Sequence, residues 1–242
     1  MNNIFTFLSS KKPKIAVLID PEKCTDFEQF KDWTEQIILA RPDLFLVGGS
    51  SATQEQTHEC VSFLKLKTEL PVVLFPGGAV QVSPHADALL FMSMISGRNP
   101  KFLIEEQVRA ARTVYALGIE TIPTSYLLLD GGTITSTEKI SKTNPMPQKN
   151  KEEIEDTVIA GTLLGHTCTY LDAGSGAMHP VSSEIIASVS AYSQLLFVGG
   201  GIRSVASVKR AHDSGAKVVV IGNHLEQNLD FASELAAYGQ NR

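Results

Sequence analysis

Two stretches of this sequence have the composition of an anion cradle. Phe197-Val198-Gly199-Gly200-Gly201-Ile202-Arg203 and Val218-Val219-Val220-Ile221-Gly222-Asn223 each pass from an apolar run to glycine and then to a helical pattern. A glycine has no Cβ, so its backbone N–H can approach an anion closely. A helix starting right after adds unpaired amides and the positive end of its dipole. A tight turn needs one glycine. Three in succession, with a second glycine-bearing strand end one unit later, favour phosphate.

Other reactive side chains recur at the ends of apolar runs. Ile19-Asp20-Pro21 ends the first with a carboxylate, and Val47-Gly48-Gly49-Ser50 ends the second with glycines and a hydroxyl. Tyr126 follows the fifth, and Tyr170-Leu171-Asp172-Ala173-Gly174-Ser175-Gly176 ends the sixth. Asp20 reads equally as a helix cap or as a ligand. One carboxylate with hydroxyls near a diphosphate suits Mg²⁺, which keeps waters and takes ligands from substrate phosphates. Asp172 lies between a tyrosine and a Gly-Ser-Gly turn, on the side that holds the cradle. Ser175 suits a helix cap or a phosphate, and Tyr126 suits packing or a site wall. Trp33 reads as packing, and Glu105, Glu106 and Arg109 read as a solvated helix face.

The elements needed to position these residues alternate along the chain. Strands are predicted at Lys14–Ile19, Leu44–Val47, Val72–Phe75, Ala88–Met92, Glu120–Ser125, Thr169–Asp172, Leu195–Val198 and Lys217–Ile221. They are continuously apolar, as parallel strands buried on both faces are. Helices are predicted at Phe27–Leu39 and Glu55–Leu66. Another starts at Asn99-Pro100, an N-cap followed by proline, and ends at Leu117-Gly118. More follow near Lys151–Leu164, Ser182–Tyr192, Val205–Ser214 and Leu225–Tyr238. Eight such units predict a (β/α)8 TIM barrel, one domain over residues 1–242. The third unit is irregular, because Gly77–Asp87 is too short and too rich in glycine and proline for a barrel helix. Gly131–Asn150 is a long polar connection of the kind that is functional or mobile.

Composition bounds the possibilities. With 43% hydrophobic residues and a net charge of −5, the chain reads as globular and not as a general nucleic-acid binder. Cys24, Cys60 and Cys168 are widely spaced and fit free thiols in a reducing compartment. No apolar run approaches bilayer-spanning length. The start, Met1-Asn2-Asn3-Ile4-Phe5, lacks the order of a signal peptide. The expectation is a cytoplasmic protein. Walker, full dinucleotide-binding, Cys-x-x-Cys and His-Glu-x-x-His motifs are absent, as is any Asp-Asp pair.

The set of strand-end motifs resembles the geranylgeranylglyceryl phosphate synthase family, including its bacterial members. The motifs are Ile19-Asp20-Pro21-Glu22-Lys23, Val47–Ser50, Tyr170–Ala177, Val198–Arg203 and Ile221-Gly222-Asn223, in family order and spacing over nearly the whole chain. The resemblance implies Mg²⁺-dependent transfer of a polyprenyl group from its diphosphate to the C3 hydroxyl of sn-glycerol 1-phosphate. It implies that Asp20 and Ser50 hold Mg²⁺, and that Asp20 and Asp172 are catalytic. It assigns Tyr170, Leu171, Asp172, Ala173, Gly174, Ser175, Gly176, Gly200, Gly201, Gly222 and Asn223 to glycerol phosphate, and Tyr126 to a prenyl groove. The chain departs from the family at Asp172, where the family usually has Glu, and at Leu18, where some bacterial relatives carry Lys. Homo-oligomers and transient membrane-surface contact are expected. Three other readings stand beside this one: a heptaprenyl donor, a phosphate-binding barrel isomerase, and a non-catalytic binder of phospholipid intermediates.

Overall fold

A computed structural model describes residues 3–25, 27–222, 225 and 228–241. Eight parallel strands close into a barrel in sequence order. They are β1 Lys14–Ile19, β2 Leu44–Val47, β3 Val72–Leu74, β4 Ala88–Ser93, β5 Glu120–Leu128, β6 Cys168–Asp172, β7 Leu195–Gly199 and β8 Val218–Ile221. The last strand pairs with the first, Ala16 opposite Val220, which completes the cylinder. Outside it run α2 Phe27–Leu39, α3 Gln54–Lys67, α4 Glu106–Leu117, α6 Lys151–Leu163, α7 Ser183–Ser190, α8 Val205–Asp213 and α9 Leu229–Asn241. The described residues also include two short helices, α1 Ile4–Leu8 and α5 Ser136–Ser141.

Alternation along each strand sorts side chains into two cores. Ala16, Leu46, Val73, Leu90, Tyr126, Tyr170 and Phe197 fill the barrel interior. Their sequence neighbours, such as Val17, Val47, Leu89, Leu127, Leu171 and Val198, pack under the helices. Asp172 follows Cys168 and Tyr170 at two-residue spacing, and this parity turns a carboxylate toward the interior end of β6. Helix starts are chemically marked. Thr53 and Gln56 bond each other's backbone amides reciprocally at the head of α3, and Ser182 and Ser204 cap α7 and α8.

The N-terminal α1 closes the barrel end opposite the site. Leu8 is fully buried against the beginnings of the strands, and the Lys14 ammonium lies 4.5 Å from the Phe7 ring centre. Glu120, the first residue of β5, accepts the Ile4 and Phe5 amides at 2.7 and 2.8 Å. These are charge-assisted bonds to amides with no intrahelical partner. Glu120→Ala should cost about 1–3 kcal/mol, visible as a lowered Tm with little change in turnover. An unchanged Tm would show that α1 is not anchored this way.

Several expectations need adjustment. β5 runs to Leu128, so Tyr126 lies inside the strand and not after it. The helix expected from Asn99-Pro100 opens with a π turn, Lys101–Glu105, before α4 proper. Asn99 still receives the Lys101 amide on its side chain. The final helix is described over Leu229–Asn241, past the expected end at Tyr238, and residues 226 and 227 of the expected Leu225–Tyr238 helix lie outside the described residues. The polar Gly131–Asn150 connection holds α5 and is tied to the barrel by the Leu129–Met146 bridge. As expected, no helix separates β3 from β4.

Candidate functional site

A cavity of about 550 Å³ opens at the C-terminal ends of the strands, where ligands of parallel barrels bind. Phe75, Tyr126 and Tyr170 form its floor, with Phe197 behind Tyr170. Ring centres lie 4.9 Å apart for Phe75–Tyr170 and 5.6 Å for Tyr126–Tyr170. Of the predicted residues, Asp20, Ser50, Tyr126, Tyr170, Asp172, Gly174, Ser175, Gly176, Gly200, Gly201 and Gly222 all face this one space. Asn223 lies outside the described residues. Leu171 and Ala173 direct their side chains into the core under the helices and are not among the residues that line the cavity.

Asp172 is buried at the end of β6. Its Oδ1 accepts the Gly174 amide at 2.7 Å, and its Oδ2 accepts the Tyr126 hydroxyl at 2.8 Å. Burial pushes its carboxyl above the ordinary carboxylate range, and those two donors pull it back. Burial, with Asp172 nearby, pushes the Tyr126 and Tyr170 hydroxyls well above theirs, so both stay protonated donors.

Loops β6–α7 and β7–α8 are interlocked. Gly200 has φ +82°, and a Cβ there would fall 2.6 Å from the Gly174 nitrogen. The glycine is required by both its conformation and its neighbour. The Arg203 guanidinium reaches across and donates to the Ala177 carbonyl at 2.9 Å. The helix that follows begins at Val205, as expected, where Ser204 caps it through the Ser207 amide. The cradle is therefore mostly loop backbone.

Asp20 is both cap and wall. Its Oδ1 accepts the Glu22 amide at 3.1 Å at the 3₁₀ turn Pro21–Thr25, and its side chain faces the cavity. A Cβ on Gly49 would fall 2.5 Å from that oxygen, so the bare backbone of Gly49 lets the carboxylate lie beside Ser50 in the β2 loop. Leu18 also lines the wall.

In place of a third barrel helix, two side chains fix residues 75–87. Gln81 receives the Gly77 amide and donates to the Gly49 and Ala52 carbonyls. Glu106 accepts the Ala79 amide at 2.7 Å and the Arg109 guanidinium at 2.8 Å. Sequence reasoning placed Glu106 on a solvated face, yet its side chain is only 12% exposed. The missing helix leaves an apolar trough lined by Val82, Phe91, Met92, Met94, Phe102 and Ala110, continuous with the floor. Trp33, as expected, packs on Phe30.

Fold and cavity together define a (β/α)8 barrel protein with a small-molecule site at the strand ends, polar on one side and apolar on the other. The chain belongs to the PcrB family, whose profile matches residues 9–238. It is 47% identical over 216 residues to the geranylgeranylglyceryl phosphate synthase of Zunongwangia profunda, across 89% of this chain and 92% of that one. It is 36% identical over 222 residues to the Korarchaeum cryptofilum protein of the same name, across 91% of each. Its structure superposes with a TM-score of 0.88 and 28% identity on (S)-3-O-geranylgeranylglyceryl phosphate synthase from Thermoplasma acidophilum. That protein was crystallised with its substrate sn-glycerol-1-phosphate, and the match covers 98% of this chain and 96% of that one. The resemblance carried by the strand-end motifs agrees with these relationships.

Proposed function

We propose that this protein is a prenyltransferase. It joins the geranylgeranyl group of its diphosphate to the C3 hydroxyl of sn-glycerol 1-phosphate, giving geranylgeranylglyceryl phosphate and diphosphate. The observation that carries the proposal is the joining, in one cavity, of a glycine-lined polar end, a buried carboxylate and an apolar trough. A phosphate-binding isomerase would need the first two but not the trough.

The polar end fixes glycerol phosphate through the backbone of Gly174–Gly176 and Gly200–Gly201. Asp172 accepts the proton of the C3 hydroxyl as the oxygen bonds to the prenyl carbon and the carbon–diphosphate bond breaks. The proton then leaves with diphosphate or solvent. Tyr126 and the Gly174 amide hold both Asp172 oxygens, so the base is oriented before substrate arrives. The aromatic floor keeps water from the allylic carbon. The trough takes the chain, at about 0.8 kcal/mol per buried CH₂.

Asp20 and Ser50 supply hard oxygen donors without a third acidic ligand, and no cluster of three His, Cys, Asp or Glu occurs among the described residues. That set fits Mg²⁺, which would be completed by diphosphate oxygens and water. When bound, the ion neutralises leaving-group charge. The buried, unpaired thiols fit a cytoplasmic location. Leu163, Leu164 and Tyr192, exposed at and just past the ends of α6 and α7, fit the expected homo-oligomer.

The test is product formation. Protein is incubated with sn-glycerol 1-phosphate, Mg²⁺ and donors from geranyl to heptaprenyl diphosphate, and lipid products are identified by mass spectrometry. The geranylgeranyl ether should dominate, EDTA should suppress it, and added Mg²⁺ should restore it. Preference for the heptaprenyl donor would keep the chemistry and change the donor. Absence of product with every donor would reject the proposal, and turnover in EDTA would reject the metal.

A further inference from the structure

The cavity mouth is rimmed by apolar side chains that no core contact explains. Ile134 and Met178 are 67% and 59% exposed, and Ile140 is 44% exposed while also lining the cavity. These residues sit together. The Met178 methyl lies against Gly132, 3.2 Å from where a Cβ would be, and the Met178 amide is bonded to Gly131. Ile134 precedes α5 and Ile140 lies within it, on the same connection. The connection is joined to the β4–α4 loop through Asn99, which donates to the Ser141 carbonyl at 2.9 Å.

The charges here oppose those of the chain as a whole. Net charge is −5, yet residues 139–151 include Lys139, Lys142, Lys149 and Lys151 and no Asp or Glu. Lys139 and Lys142 are exposed and form no ion pair among the described residues. Arg98, exposed on the adjoining loop, is held at the surface by the Ile95 and Gly97 carbonyls at 2.9 and 2.8 Å. Of the nearby carboxylates, Asp130 is turned onto the Gly132 amide, and Glu138 is half-buried in the first turn of α5.

We propose that this rim docks on an anionic lipid bilayer, with Ile134, Ile140 and Met178 entering the headgroup layer and Lys139, Lys142 and Arg98 meeting lipid phosphates. Apolar side chains surrounded by long cations are the composition of a reversible interfacial contact. No helix among the described residues is long and apolar enough to cross a membrane, so the contact is peripheral. The inference rests on the proposed lipid chemistry for its purpose. A prenyl chain passing Ile140 could move between bilayer and trough without crossing water.

Vesicle flotation tests docking without substrate. The protein should float with phosphatidylcholine vesicles containing phosphatidylglycerol, much less with phosphatidylcholine alone, and less in high salt. Each cation near an anionic surface contributes about fivefold to binding. Lys139→Glu/Lys142→Glu should therefore weaken flotation by more than about tenfold, and Ile134→Ser should weaken it as well. Leu66→Ser, at the far end of α3, should leave it unchanged. Equal flotation with both vesicles, insensitivity to the lysine pair, or equal loss with Leu66→Ser would overturn docking. Turnover of soluble geranyl diphosphate, measured without vesicles, reads the prenyltransferase proposal separately. Its absence, with every longer donor also giving no product, rejects that chemistry whether or not the protein floats. Normal turnover with no flotation rejects only the docking.

Discussion

Asp172→Asn should lose about a thousandfold in turnover, the scale of a positioned general base, and should melt at a higher temperature than the parent at neutral pH. The two effects share a cause. Asp172 is buried among Tyr126, Tyr170 and the β6 loop, and burial raises its carboxyl above the ordinary range. A carboxyl raised in the folded state contributes stability below its unfolded pKa. That contribution is lost as pH rises through the folded value. At neutral pH the ionised group therefore costs stability, which asparagine relieves while still accepting the Gly174 amide. The Tm advantage should shrink as the solution is acidified. The parent's kcat/KM should fall on the acid side, with its limb above the ordinary carboxylate range. Tyr126→Phe removes a donor that pulls Asp172 down, and should move that limb to higher pH. Full turnover in Asp172→Asn would remove Asp172 from proton transfer, and a limb unmoved by Tyr126→Phe would show that the hydroxyl does not tune it.

Much of this site was legible because barrel strands are simple in sequence. β1 and β2 match their expected bounds to the residue, since each apolar run is cut off by a turn: Asp20-Pro21 after one, Gly48-Gly49 after the other. With eight strands placed, the C-terminal-end rule gathers distant residues into one space without any contact being known. Two of the misses are tertiary. α1 is five residues long, too short to be stable alone, and depends on Glu120 far along the chain. Glu106 looks solvated on its helix because its partner, the Ala79 amide, lies in a loop with no periodic pattern. The sequence reading ends β5 at Ser125 and puts Tyr126 after it, although the turn signal comes only at Asp130-Gly131-Gly132, beyond three more apolar residues. The π turn before α4 depends on backbone pairing to which side-chain types are nearly blind. For α1 and Glu106 the deciding partner lies outside the local window.

The polar end of the cavity depends on the absence of a few atoms, and Gly200→Ala tests this most sharply. The new Cβ would fall 2.6 Å from the Gly174 nitrogen and 2.8 Å from the Ala173 carbonyl carbon. Both are backbone, so no side-chain rotation relieves the overlap, and the loops must separate. Separation displaces the amides assigned to glycerol phosphate and strains the Gly174 bond to Asp172. The expected result is a rise of about 100-fold in KM for sn-glycerol 1-phosphate, equivalent to about 2.7 kcal/mol, with little change in KM for the prenyl donor. A left-handed residue also costs stability in itself, about 1–2 kcal/mol for alanine. Gly165→Ala separates that contribution, because Gly165 has φ +95° but no atom within 4 Å of a Cβ. It should lower Tm and leave both KM values alone. Were Gly200→Ala to behave like Gly165→Ala, the phosphate would have to bind elsewhere, and the three-glycine run would be a device for packing loops. A selective rise in one KM follows only if the close approach of the two loops is what shapes the anion site.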